Sequence, residues 1–192
     1  MKNIVAVSVI LLMLSCESKE AKKERIFKEF QEEAKAMKKN QIDLFVGAKP
    51  IPFSAKTISG TSFNSRNYQG KNLVIFIYDK SYLKKSESYD MAEEFNALYN
   101  KYNEEAHFIG IVEGFVENEK EFKDYLARSN VLFEQIDNTK SYNKSEKLNY
   151  NVFCNPAKVL IGIDGKVLHS SCGGGNISAI AQKLDSIKAN KK

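Results

Sequence analysis

Histidine and cysteine are scarce in this sequence, with 2 and 3 copies among 192 residues. Metal centres and nucleophilic sites draw heavily on these side chains, and lone histidines seldom make a catalytic set. His107 opens an apolar strand pattern and His169 ends a hairpin pattern, so both read as structural. No metal site and no cofactor are expected. A basic stripe interleaved with aromatics is also missing. The net charge is only +5, and the lysines are scattered among glutamates, so nucleic acid is not an expected partner. The apolar stretch "IVAVSVILLML" falls short of the roughly 20 residues that a membrane-spanning helix needs. Repeats and low-complexity linkers are absent.

What is present suffices for one ordinary globular core: 43% apolar residues, including 12 Phe and 9 Tyr. The start of the chain reads as a targeting segment. Lys2 supplies the positive end, an apolar stretch follows, and "MLSC" places Ser15 before Cys16. This resembles a bacterial lipobox, which implies a signal peptide over 1–15 and a lipid on Cys16. "CESKE" after it resembles the acidic export signals of Bacteroidetes surface lipoproteins. Residues 16–40 then alternate in charge, with Ile26, Phe27, Phe30, Ala34 and Met37 forming one narrow apolar stripe at helical spacing. They are expected to be a lipidated N-terminus and a charged helical stalk.

From residue 41 to 192 strand and helix patterns alternate. "NLVIFIY" and "AHFIGIV" are continuous apolar runs, as befits strands covered on both faces. Met91, Phe95, Leu98 and Tyr102 mark one helix, and Phe122, Tyr125 and Leu126 mark the next. "VLFEQID" is short and edge-like. "AKVLIGIDGKVLHSS" reads as two strands turned at Asp164-Gly165. Ile177, Ile180, Ala181, Leu184 and Ile187 close the chain with an amphipathic helix. The order predicts an α/β sandwich of three layers: a mixed central sheet with helices on both faces.

That order, with its punctuation, resembles the thioredoxin-like fold in its TlpA-like and AhpC/TSA (redoxin) form. The likeness rests on "SGTSFNSRNYQGKNLVIFIY", "HFIGIVEGFVENEKEFKDYLARSNVLFEQIDN", "YNVFCNPAKVLIGIDGKVL" and "CGGG". It implies a cis bond before Pro156, near the site where the family carries a Cys-x-x-Cys pair. Here that slot reads Ser81-Tyr82-Leu83-Lys84, with Glu87 in the place of an acidic residue that often follows. Exchange needs a thiolate of lowered pKa, which neither Ser81 nor Lys84 supplies. The family's chemistry is therefore not expected at its usual place.

Cys154 and Cys172 flank the tip where the pair would sit in such folds. They are either a relocated redox pair, or a single reactive thiol at Cys154, or two small residues at strand ends. If Ile163 pairs with Lys166 around the turn, Cys172 pairs with Ala157. Cys154 then lies about 10 Å away along the strand and on the opposite face. That register weighs against a disulfide, although an exported compartment favours oxidation of any pair that meets. The resemblance further implies that Asn155, before Pro156, offers its backbone to an extended peptide. The expected function is a membrane-anchored, redox-silent module that binds a peptide or protein in the cell envelope, at the periplasmic or outer surface. The alternative is a thiol–disulfide oxidoreductase acting through Cys154, with or without Cys172.

Overall fold

The computed structural model describes residues 18–190. Cys16 and the segment read as a signal peptide lie outside the described residues. The chain divides into two units after Asn40. In the first, helix α1 (Lys19–Lys39) is opened by Ser18, whose Oγ accepts from the Ala21 amide at 3.1 Å. Arg25 and Glu29 pair at 3.0 Å one turn apart, and Ile26, Phe27 and Phe30 are exposed.

The second unit begins with a short hairpin, β1 (Ser54–Lys56) and β2 (Ser62–Asn64). Its sheet consists of β3 (Asn72–Asp79), β4 (Ala106–Glu113), β5 (Glu134–Asp137), β6 (Ala157–Ile161) and β7 (Val167–Cys172). Three helices accompany it: α2 (Met91–Tyr102), α3 (Glu119–Arg128) and α4 (Ser178–Ala189). The strand order is β5-β4-β3-β6-β7. β3, β4 and β5 run parallel, and β6 and β7 are antiparallel additions. The mixed α/β sheet matches the sequence reading, although the buried residues of α2, α3 and α4 all lie on one face and the other is covered by the N-terminal hairpin region and residues 148–152.

Alternation along the strands sorts the core into two faces. Ile75, Ile77, Ile109, Ile111 and Val159 pack with Phe53 and Phe63 of the N-terminal hairpin region. Val74, Phe76, Phe108 and Leu160 pack with Phe95 of α2 and with Ile180 and Leu184 of α4. Phe76 and Phe95 stack with ring centroids 4.0 Å apart. Gly110 leaves room for the buried Tyr78, whose hydroxyl donates to Gln135 Oε1 at 2.7 Å. A Cβ on Gly110 would lie 2.6 Å from that hydroxyl. Among the described residues, no helix is long and apolar enough to cross a membrane.

Candidate functional site

The central strand β3 ends at Asp79, and the slot Ser81-Tyr82-Leu83-Lys84 follows. Residues Lys80–Leu83 form a single 3-10 turn, capped by Asp79 Oδ1, which accepts from the Ser81 amide at 2.9 Å. Lys84 ends that turn, and α2 begins only at Met91, with Asp90 as its N-cap. The cause is local: Asp79 and Asp90 are both good capping residues, and "KKSES" between them has no apolar periodicity to continue a helix. Ser81 and Lys84 are exposed. Neither histidine serves Ser81 as a base through any hydrogen bond. His107 stacks on Tyr68 at 4.0 Å, and His169 Nε2 bonds Ser171 Oγ at 2.8 Å.

The turn meets the proline loop. The Asn155–Pro156 bond is cis, and Pro156 is buried. Tyr82 donates its hydroxyl to the Asn155 carbonyl at 3.3 Å. That contact ties the 80–83 turn to the proline loop. The Asn155 side chain is held from the other side, with Nδ2 donating to Glu113 Oε1 at 2.5 Å. Glu113 Oε2 in turn accepts from the Tyr150 hydroxyl. Tyr82, Tyr89, Pro156 and the glycines at 173–175 enclose an open groove beside the loop.

Cys154 and Cys172 form a disulfide, with Cα atoms 5.7 Å apart. This corrects the expectation drawn from register. Ala157 does pair with Cys172, but not by the expected route: Gly162, not Ile163, faces Lys166, and a register shift between Leu160 and Ile161 brings the later pairs back into the expected register. The extrapolation failed because β6 starts at Ala157, so Cys154 lies in the loop and follows neither the rise nor the alternation of a strand. Cys172, at the end of β7, is exposed, whereas Cys154 is half-buried and packs against the core. The bond therefore joins the exposed end of β7 to the loop that carries Pro156.

Two residues of this region were passed over in the sequence. Lys158, in the middle of buried β6, is fully buried. Its ammonium contacts Glu94 Oε1 at 3.0 Å and donates to the Gly173 carbonyl at 2.6 Å and the Asn176 carbonyl at 3.0 Å. Its charge is thus met by one carboxylate, as an ion pair, and by two carbonyls that accept hydrogen bonds. Glu94 Oε2 accepts from the Gly175 amide at 2.7 Å, and the Gly173 amide donates to the Pro156 carbonyl at 2.8 Å. The glycine loop after Cys172 is thus tied to α2, to β6 and to the proline loop. Close approach explains one glycine: a Cβ on Gly174 would meet the Tyr89 ring at 2.3 Å. Burial pushes the Tyr89 hydroxyl to a raised pKa, and the neighbouring Glu94 adds to the rise. A lone lysine inside "AKVLIGI" was the one available signal.

Among the described residues, no cluster of His, Cys, Asp or Glu could hold a metal ion. No protein-family model matches the sequence, and no curated protein matches it. Solved structures match in fold. One is dsbF of MTB, at 18% identity and a TM-score of 0.55, covering 70% of this chain and 94% of that one. Another is the pneumococcal exposed lipoprotein thioredoxin of Streptococcus pneumoniae, at 14% identity and a TM-score of 0.54, covering 71% of this chain and 99% of that one. A thiol-disulfide oxidoreductase from Bacteroides fragilis matches at 14% identity and a TM-score of 0.53, covering 70% and 97%. Likenesses at these identities establish the fold, which is thioredoxin-like.

Proposed function

We propose that this chain is a thiol–disulfide oxidoreductase of the cell envelope, a redoxin of the TlpA-like or AhpC/TSA type, in which Cys154 and Cys172 replace the missing pair at Ser81 and Lys84. The observation that carries this reading is the Cys154–Cys172 bond itself, formed beside Pro156 with Cys172 exposed. A substrate thiolate attacks Cys172 Sγ, a substrate–Cys172 disulfide forms, and Cys154 leaves as a thiolate. A second substrate thiolate then attacks the substrate sulfur of that mixed disulfide. Cys172 leaves, the substrate gains a disulfide, and Cys154 and Cys172 carry away its two electrons.

An envelope location agrees with the N-terminal segment and with the name of the pneumococcal lipoprotein neighbour. We extend this to a lipid on Cys16, as the anchor to a bacterial membrane. Loss of membrane partitioning in Cys16→Ala, together with a lipid adduct on wild-type Cys16, is the expected result.

The deciding experiment incubates the full chain with a reduced dithiol peptide and traps thiols with a maleimide for mass spectrometry. Oxidation of the peptide with matching appearance of free Cys154 and Cys172, abolished in Cys154→Ser, is expected. A bond that stays closed while the peptide stays reduced would overturn the reading. It would leave the redox-silent peptide- or protein-binding module, which the absence of any thiol on the 80–83 turn favours. That module would bind through Asn155 and Pro156 after Tyr82 swings away.

A further inference from the structure

The second unit carries a pocket at the opposite end of the sheet from the disulfide. Leu73, near the start of β3, forms part of its floor, whereas Pro156 lies opposite Tyr78 by the β3–β6 register, about 17 Å away at the rise of a strand. Phe53 and Ile161 complete a buried apolar floor. The walls are fixed by their own chemistry. Pro50 and Pro52 lack amide hydrogens, so residues 49–53 cannot be absorbed into the sheet. Phe53 is tied to the turn at Ser65 by two hydrogen bonds of 2.9 Å, one through the Ser65 amide and one through its hydroxyl. The hairpin turn Gly162–Gly165 forms the remaining side, held by the Gly162 amide donating to the Lys166 carbonyl at 2.8 Å. The cavity between them measures about 280 Å³.

Its rim combines two features that rarely meet without a ligand. Ile51 and Ile163 stand at the opening with 43% and 64% of their surface exposed. Lys49, Arg66 and Lys71 converge there from separate segments, and among the described residues none of them forms an ion pair. The one acid of the lining, Asp164, faces Lys166 at 3.9 Å. An apolar cavity under an uncompensated cationic rim attracts a molecule with an apolar body and an anionic head. The volume, at the low end for small-molecule sites, admits one chain rather than two. Ser65 already accepts from the Phe53 amide, and the side chains of the floor, Phe53, Leu73 and Ile161, are purely apolar, while Tyr68 and Gln69 also line the pocket. The Asp164 carboxylate in the same lining favours a monoanion over a dianion.

We propose that this pocket binds a single-chain amphiphile with a carboxylate head, a fatty acid of medium length, whose head is held by Arg66 with Lys49 and Lys71 and whose tail lies on Phe53, Leu73 and Ile161. Arg66 supplies the planar fork that suits a carboxylate. The site is independent of the disulfide chemistry, so its test reads binding alone.

Titration calorimetry of the full chain with decanoate, below its micelle concentration, tests this. Saturable 1:1 binding is expected, at least tenfold tighter than for decanol or decyltrimethylammonium. Arg66→Glu combined with Lys71→Glu, both exposed and folding like wild type by circular dichroism, should weaken it at least tenfold. Ile163→Asp should do the same, while Cys154→Ser should bind as wild type does. Absent saturation, equal affinity for the three probes, or unchanged binding after charge reversal would overturn the proposal. Tighter binding of monodecyl phosphate would overturn the carboxylate assignment.

Discussion

Replacing Glu94 with glutamine preserves its shape and removes the charge opposite a cation that has no access to water. Lys158 has 0% of its side chain exposed and Glu94 has 9%, with 3.0 Å between Nζ and Oε1. Desolvating an ammonium is tolerable only with paired charge and filled donors, and removing one partner of a buried pair costs about 3–5 kcal/mol. The Gly173 and Asn176 carbonyls remain as acceptors, which argues for the lower half of that range. The new amide also turns a donor toward the Gly175 amide, which has lost its acceptor. With an m-value of about 2 kcal/mol/M, the urea midpoint of Glu94→Gln should fall by about 2 M. The double variant Glu94→Leu with Lys158→Met removes both charges and should recover most of that loss. Urea unfolding followed by far-ultraviolet circular dichroism on wild type, the single variant and the double variant measures this. A single variant within 0.5 kcal/mol of wild type, or a double variant no better than the single, would show that the pair does not hold the glycine loop.

Three further expectations follow from particular contacts. Cysteines introduced at Ser81 and Lys84 should titrate near an ordinary thiol value of about 8.5 rather than below 7, because the turn ends at Leu83, α2 starts at Met91, and the Asp79 carboxylate caps position 81; alkylation rate against pH decides. Gly110→Ala should destabilise by about 1–3 kcal/mol through overpacking against Tyr78, and adding Tyr78→Phe, which deletes the nearest atom, should return part of it; equal stabilities of Gly110→Ala and wild type would refute the packing account. Burial holds the imidazoles of His107 and His169 below their usual pKa, with Glu134 opposing and Lys71 assisting at His107. The unfolded chain then binds protons first, so stability is complete above about pH 6.5 and declines as pH falls below it. His107→Phe, which keeps the stack with Tyr68, should flatten part of that decline in urea midpoints measured from pH 7.5 to 5, and an unchanged slope would count against it.

The sheet was legible because its strands are written in uninterrupted apolar letters. "LVIFI" and "HFIGIV" could be little else than covered strands, and Asp164-Gly165 marked the hairpin, although its turn closes at Gly162 and Lys166 and the Ala157–Cys172 pair is restored only by a register shift after Leu160. Legibility ended where regular geometry did. Cys154 sits outside β6, and the rules of rise and alternation that excluded the disulfide do not govern a loop. Helix α2 was legible from Met91, Phe95, Leu98 and Tyr102, which are all buried, whereas the short turn capped by Asp79 has no apolar period to announce it. Lys158 hid inside an apolar run, since its partner Glu94 lies 64 positions earlier and nothing local joins them (158 − 94 = 64).

The disulfide also changes what a break in the backbone would mean. Cys154 and Cys172 bracket the whole β6–β7 hairpin, closing its 18-position span into a covalent ring that includes the exposed turn at Ile163 and Asp164. A protease that nicks the turn would linearise the ring without releasing either strand. The cleaved chain should migrate as one piece under oxidising conditions and separate into two only after reductant is added. The hairpin that bounds the rim at Ile163 and carries the exposed Cys172 would thus stay attached through damage at its exposed turn.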